Sequence, residues 1–342
     1  MTGRGKLAII GGRLFQAVPA LIGIIIVTFL LTRALPGDPA AYFAGPAANP
    51  ESIAEIRKEL GLDRTLPEQF FFYLGDLFTG DLGESISTGQ PVVSELISRL
   101  PASLELTLFA LLFSASVAIP LGILAATRPN SWVDHACRFI TTAGVSLPTF
   151  FTGLALIYIF YYLLNWAPPP IGRLNIVYLS PPHVTGFYTV DALLDGDAET
   201  FRAALAQLIL PAVTLGLFTL APLARMTRAS MLQVLGSDFV RTARAAGLSG
   251  RKVLYTYAFR NALLPVITTL GMVFSFTLGA NVLVEKVFAW PGIGSYAIEA
   301  LVVSDYAAVQ GFVLTMAIMF VILNLVIDVI YTFIDPRVGM ES

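Results

Sequence analysis

Imidazole and thiol chemistry in this chain rests on three residues, His135, Cys137 and His183, because the sequence holds only two histidines and one cysteine. His135 and Cys137 stand two positions apart, but a zinc site needs further ligands of the same kind. A lone cysteine makes neither an intrachain disulfide nor a multi-thiolate cluster. A membrane-embedded hydrolase needs a nucleophile beside its base, and neither histidine falls deep in an apolar stretch. Gly292-Ile-Gly294-Ser-Tyr-Ala297 fits a loose dinucleotide-binding pattern, yet it follows Trp290 and Pro291 with no strand signal before it. No GxxxxGK[ST] run occurs, so work driven by ATP must be done by a partner. The expectation is a chain with no catalytic residue, no metal ligand and no cofactor of its own.

Two other constellations can carry function. Asn324 and Asp328 are four residues apart in an apolar stretch and so share a helix face, with Tyr331 within one turn of both. Such a face suits a proton or cation relay in an ion-coupled carrier, and equally a hydrogen-bonded pair that glues two spans together. The second is the stretch from Arg225 to Asn261, with seven basic residues and the single acid Asp238. Asp238 is placed to cap a short helix over Phe239 to Ala246 that ends at Gly247. Thr242, Ala243, Ala245 and Ala246 are small and are interleaved with Arg241 and Arg244. Small side chains let a helix seat deeply in a groove of another protein, with the arginines pairing to carboxylates at its rim. The competing reading is a basic loop that fixes topology or touches anionic lipid.

The elements that must position these residues are membrane helices. Of 342 residues 56% are hydrophobic and 13% charged, and the mean hydropathy is +0.75. A soluble globular chain carries about twice that charge. The net charge of -2 gives no general attraction to nucleic acid. Windows of about 20 apolar residues, the length that crosses a hydrocarbon core, predict six spans: Leu14 to Thr32, Leu104 to Thr127, Phe139 to Leu164, Leu205 to Ala224, Ala262 to Val284 and Ala307 to Ile334. The first reads as an uncleaved anchor rather than a secretory signal. With the N-terminus inside, 13 of the 21 basic residues fall on the inner side, so both termini are expected in the cytoplasm. The fold class is therefore an all-α integral membrane protein with an extended extracytoplasmic segment after the first span.

That arrangement divides the chain into a cytoplasmic N-terminus (1–13), the first span (14–32), an extracytoplasmic segment (33–103), a five-helix core (104–334) containing the basic loop (225–261), and a cytoplasmic C-terminus (335–342). In the extracytoplasmic segment Asn49 is a helix cap with Pro50 at the first position and Gly61 as the stop. A second short helix is expected over Pro91 to Leu100. Glu105 is expected near an outer end, in reach of water. Asn165 to Ala204, rich in proline and glycine, reads as irregular.

Several motifs in order carry a family resemblance: Leu35-Pro-Gly-Asp-Pro39; Gly80-Asp-Leu-Gly83 with Ser85; Arg99-Leu-Pro101 followed by Ser103-Leu-Glu-Leu106; Ser146-Leu-Pro-Thr-Phe150; Asp238-Phe-Val-Arg-Thr-Ala-Arg-Ala-Ala-Gly247; Arg260-Asn-Ala-Leu-Leu-Pro265; Glu285-Lys-Val-Phe-Ala-Trp-Pro-Gly-Ile-Gly294; and Asp335-Pro-Arg337. From Gly12 to Arg337 the chain resembles the B-type membrane subunit of bacterial ABC importers for dipeptides, oligopeptides and nickel. The resemblance implies the type I importer permease fold and alternating access. It implies a second related permease, two ATPase domains that bind ATP and Mg, and an extracytoplasmic solute-binding protein as partners. Asp238, Arg241, Thr242, Ala243, Arg244, Ala246 and Gly247 would then belong to the helix that couples to the ATPase. Arg241-Thr242-Ala243 stands where the general importer motif has Glu-Ala-Ala. Trp290, Pro291, Gly292 and Gly294 would form a tight turn dipping into the outer mouth. Peptides, nickel chelates, glutathione and other small solutes are all compatible as cargo.

Overall fold

The computed structural model describes residues 3–34, 38–45 and 47–334. Leu35 to Gly37 of the first motif, the Asp335-Pro-Arg337 motif and the C-terminal segment 335–342 lie outside the described residues. Among those described there is no strand, only an isolated bridge between Glu84 and Pro91. The helices are α1 (Gly3–Ala34), α2 (Pro39–Ala44), α3 (Pro50–Glu59), α4 (Leu66–Thr79), α5 (Val92–Thr127), α6 (Trp132–Ser146), α7 (Thr149–Leu156), α8 (Tyr188–Leu194), α9 (Ala198–Leu235), α10 (Asp238–Ala245), α11 (Gly250–Lys252), α12 (Arg260–Val287), α13 (Ile293–Val302) and α14 (Tyr306–Ile334). π-helical turns over Ile157–Leu163 and Val253–Phe259 extend α7 and join α11 to α12.

Four helical stretches are long and apolar enough to cross a membrane: Val92–Thr127, Ala198–Leu235, Gly250–Val287 and Tyr306–Ile327. The other two expected spans fall on the shorter apolar segments Val18–Ala34 and Thr149–Leu163. The third span is not one helix from Phe139 to Leu164. It breaks at Leu147, which is extended at φ -98° and ψ 135°, the conformation that the ring of a following proline, here Pro148, favours over the helical one. Pro211 and Pro222, by contrast, stay inside α9, and Pro265 inside α12.

The connections differ from expectation in three places. The expected helix over Pro91 to Leu100 is not a separate one: its residues from Val92 onward form the first turns of α5, which runs on through Pro101. Segment 165–204 is irregular only as far as Phe187; α8 and the start of α9 occupy the rest. α4 was not anticipated, although Thr65 and Glu68 form a capping box around its start. The Asn49 cap does hold, its Oδ1 accepting from the Ser52 amide at 2.8 Å.

The chain forms two compact units, Met1–Pro101 with Pro291–Ile322, and Ala102–Trp290 with Leu323–Ser342. In the first, Val92 and Leu96 pack with Ile293, Tyr296, Ala300 and Ala308. The fully buried Asp305 accepts from Ser85 Oγ at 2.7 Å and from the Ala308 amide at 3.1 Å, which accounts for Ser85 in the Gly80 to Ser85 motif.

In the second unit, α5 and α9 approach closely. A Cβ on Gly122 would lie 2.7 Å from Thr227, and one on Gly216 2.5 Å from Phe113; small residues permit such contact between spans. Buried polar groups pair across α5 and α12: Asn281 Nδ2 donates to Thr107 Oγ1 at 2.6 Å, and Ser103 Oγ donates to Glu285 Oε1 at 2.5 Å.

Glu105 is not in reach of water. It is 1% exposed, accepting from Arg173 Nη2 at 2.6 Å and from the Thr189 amide and hydroxyl at 2.9 and 2.6 Å. The connection ahead of α9 folds over it, and Arg173 also donates to the Gly186 carbonyl and lies over the Tyr188 ring at 3.7 Å. Removing one partner of a buried pair strands the other charge, at a cost of about 3–5 kcal/mol. Glu105→Ala should therefore loosen this connection and make the Arg173 peptide bond a new trypsin site in an otherwise inserted protein; unchanged resistance would contradict the pairing.

Candidate docking site

The basic loop is built around α10. α9 ends at Gly236 and α10 starts two residues later. The N-cap is Ser237, extended at φ -75° and ψ 155°, and not Asp238. Asp238 is the first helical residue, where its charge faces the positive end of the helix dipole. At the far end Gly247 has φ +75°. Its amide donates to the Arg244 carbonyl at 3.0 Å, and that of Leu248 to the Ala243 carbonyl at 3.3 Å, the paired bonds of a Schellman stop. Gly247 is needed because this turn requires a left-handed residue.

The faces of α10 differ sharply. Val240 and Ala243 are buried and close on Val253, with Leu248 and Tyr257 packed alongside. Ala243, expected on the docking face, thus belongs to the mounting of the helix. Asp238, Arg241, Thr242 and Ala245 cover the opposite side and are exposed, as are Arg244, Ala246 and Gly247 at the flank and end. Arg241 pairs with Asp238. What remains outward is a shallow surface of small side chains edged by arginines, fixed through its buried side to the π-turn that begins the next long helix. A cavity of about 400 Å³ lies between the ends of α5 and α9 and residues 250–254, with Arg244 at its lining.

The same end of α9 is held by a cluster that sequence reasoning missed. The side chain of Asp134, in the first turn of α6, is fully buried. It accepts from Arg228 Nε and Nη2 at 2.6 and 2.8 Å and from Arg138 Nη2 at 2.6 Å. The Arg228 and then the Arg138 guanidinium hold this carboxyl far below the usual carboxylate range. The Asp134–Arg138 spacing of four was visible in the sequence; the Arg228 partner, far along the chain, was not.

The motif around Trp290 has a different geometry from the expected turn. The reversal is made by Phe288 and Ala289, the latter at φ +51°. Trp290 is 2% exposed, with Nε1 donating to the Ala102 carbonyl at 2.9 Å and its amide to the Glu285 carbonyl at 2.7 Å. Gly292 is the N-cap of α13 at φ -94°, and Gly294 is buried in its first turn. Pro291 is exposed. Trp290 is thus an anchor, and the glycines begin a helix rather than bend the chain. Asn324 is exposed on α14, and the side chain of Asp328 lies outside the described residues.

Comparison with known proteins places the chain among transport components. Residues 118–340 match the family described as binding-protein-dependent transport system inner membrane component, and residues 7–107 match its N-terminal membrane-component family. The chain is 45% identical over 332 residues to the "Probable D,D-dipeptide transport system permease protein DdpB" of Escherichia coli K12, covering 97% of each. It is 41% identical over 333 residues to the di/tripeptide permease protein DppB of Pseudomonas aeruginosa, with 97% and 98% covered. To the dipeptide permease protein DppB of Alkalihalophilus pseudofirmus it is 40% identical over 328 residues, with 95% and 97% covered.

Because its folded-state pKa is depressed, Asp134 stabilises the protein above the unfolded carboxylate pKa of about 3.9, and the contribution disappears only as pH falls through the lower folded value. Asp134→Asn should lower the apparent unfolding midpoint at pH 7 by about 5 °C, and the gap from the parent protein should close only in strong acid. A midpoint equal to the parent's at pH 7 would remove the clamp from the account.

Proposed function

The chain belongs to the family of binding-protein-dependent transport system inner membrane components, and on that footing we propose that it imports di- or oligopeptides as the pathway subunit of an ATP-driven complex. It is a multi-pass protein of the bacterial inner membrane with the type I ABC permease fold. The peptide cargo rests on what the relatives' names say they transport.

The observation that carries the reading is the outward face of α10. A helix of two turns is too short to be stable by itself; this one is held at its end by Gly247 and on its inner side by Val240 and Ala243. That mounting leaves Thr242, Ala245 and Ala246 presented between arginines, a form suited to insertion in a groove of an ATPase subunit. ATP and Mg would be bound there, since this sequence has no GxxxxGK[ST] run. Closure of two such ATPases draws α10 inward. Because α10 follows α9 after a two-residue turn and packs on the π-turn before α12, its motion is delivered to both long helices. A second, related permease completes the pathway, and hydrolysis returns it to the inward-facing state by alternating access.

Orientation follows from the basic residues: both termini and the 225–261 loop lie in the cytoplasm. The segment after α1 and the connection around Trp290, Pro291, Gly292 and Gly294 then face the extracytoplasmic solute-binding protein.

Ala245→Trp adds bulk on the outward face without touching the mounting. It should cut both ATPase co-purification and peptide uptake by at least about tenfold, equivalent to about 1.4 kcal/mol of docking energy, while the protein still inserts. Gly247→Pro should act similarly, since proline can neither donate to the Arg244 carbonyl nor adopt positive φ. Normal uptake by both variants would refute the coupling role.

A further inference from the structure

α4 is held against the outer end of α1 in a way that fixes its depth. Phe70 meets the Phe29 ring edge-on at 5.2 Å, and Tyr73 stacks on the same ring at 5.9 Å. One turn further along α1, Arg33 Nε donates to Gln69 Oε1 at 3.3 Å, and its guanidinium lies 3.9 Å from the Phe29 ring centre. On the same face of α1 as Phe29, one and two turns deeper, Ile26 and Ile22 are exposed apolar side chains of the spanning segment, and Arg33 marks where that segment gives way to charge. α4 is therefore fastened where the apolar stretch of α1 ends.

The helical period sorts the residues of α4 onto two arcs. Glu68, Gln69, Asp76 and Thr79 share the polar arc with Phe72, whose ring lies under Arg64 at 4.0 Å, and Gln69, Phe72 and Asp76 help line a cavity of about 410 Å³ that also receives Arg33. The apolar arc is wider than α1 can cover. Beyond Phe70 and Tyr73 it continues to Phe71, 69% exposed, and Phe78, 84% exposed, seven residues apart and so on one side.

We propose that α4 is an interfacial helix, with Phe71 and Phe78 entering the headgroup–acyl boundary of the leaflet at the Arg33 end of α1. Below α4, on the face of α1 that it packs against, Ile22 and Ile26 of the spanning segment are exposed and apolar, which is why lipid, rather than a protein, is its occupant. The polar arc of α4 carries Glu68 and Asp76 and no lysine or arginine, and the guanidinium beside it, Arg64, is stacked on the Phe72 ring at 4.0 Å, so the proposal expects no gain from anionic lipid. The helix would brace the extracytoplasmic segment against the membrane while a binding protein docks above it.

The test uses the assembled transporter in phosphatidylcholine nanodiscs, with Cys137→Ala removing this chain's sole native thiol and the variant chain labelled before assembly with its partners. Phe78→Cys and, separately, Glu68→Cys carry an environment-sensitive fluorophore; Phe71→Cys replaces Phe78→Cys if the latter fails to assemble. The proposal expects the label at 78 to be quenched several-fold more strongly than that at 68 by shallow nitroxide lipids. It expects the reverse order with aqueous cobalt, and no change on adding phosphatidylglycerol or binding protein. Quenching at 78 by cobalt that binding protein then blocks would assign the face to that protein and overturn the proposal. Shielding from both quenchers before binding protein is added would assign it to the second permease and overturn it equally.

Discussion

A backbone amide inside hydrocarbon has no water to turn to, and the whole molecule is arranged around that constraint. The described spans are helical through their apolar stretches, and departures from α-geometry are local. They occur at Leu147 before Pro148 and at the π-turns Ile157–Leu163 and Val253–Phe259. Hydroxyls in the long helices turn inward to their own chain: Thr107, Thr214, Thr227 and Thr277 each donate to the carbonyl four residues before. Large exposed side chains such as Leu112, Phe139 and Phe276 need no partner where lipid is the solvent.

Charge is consequently concentrated where helices end, and there it holds connections in place. Within the larger unit, Glu105 near one end of α5 gathers Arg173 and Thr189 from the connection ahead of α9. Beyond the other end of α5, Asp134 gathers Arg228 and Arg138. Both carboxylates are buried, and each is satisfied by two or more donors, the condition under which a buried charge can be kept. α9 is thus tied down at both its approaches. In the proposed coupling role, a push delivered through α10 would meet a helix that moves as a body rather than a chain that yields locally. This links the chemistry of two ion-pair clusters to the transmission that the proposed coupling role requires.

Length and hydropathy made the six spans legible, because hydrocarbon thickness fixes the number of apolar residues a helix needs. The site was legible in outline for a similar reason: Arg241 to Gly247 combined small residues, arginines and a glycine stop. Its face was not. Ala243 looked equivalent to Ala245, and only the contact with Val253 sorted one inward and the other outward. The same holds for Glu105, which looked like a carboxylate at a wet boundary until Arg173, 68 residues on, closed over it. α4 carried its capping box in the sequence, Thr65 with Glu68 ahead of an apolar run, so that omission reflects a local signal passed over. The Phe288–Ala289 reversal had no such signal, since alanine rarely takes positive φ and nothing in Trp290-Pro-Gly292 announces that the turn comes before it.

The most direct test of the account is site-specific photo-crosslinking from α10 in membranes containing the assembled transporter. A photoreactive residue at Thr242 should capture an ATPase subunit, with a yield that changes between nucleotide-free and ATP-bound states, while one at Phe239, on the flank of the mounting, captures little. Crosslinks from Thr242 to anionic lipid alone, indifferent to ATP, would contradict the coupling role and return this loop to a determinant of topology.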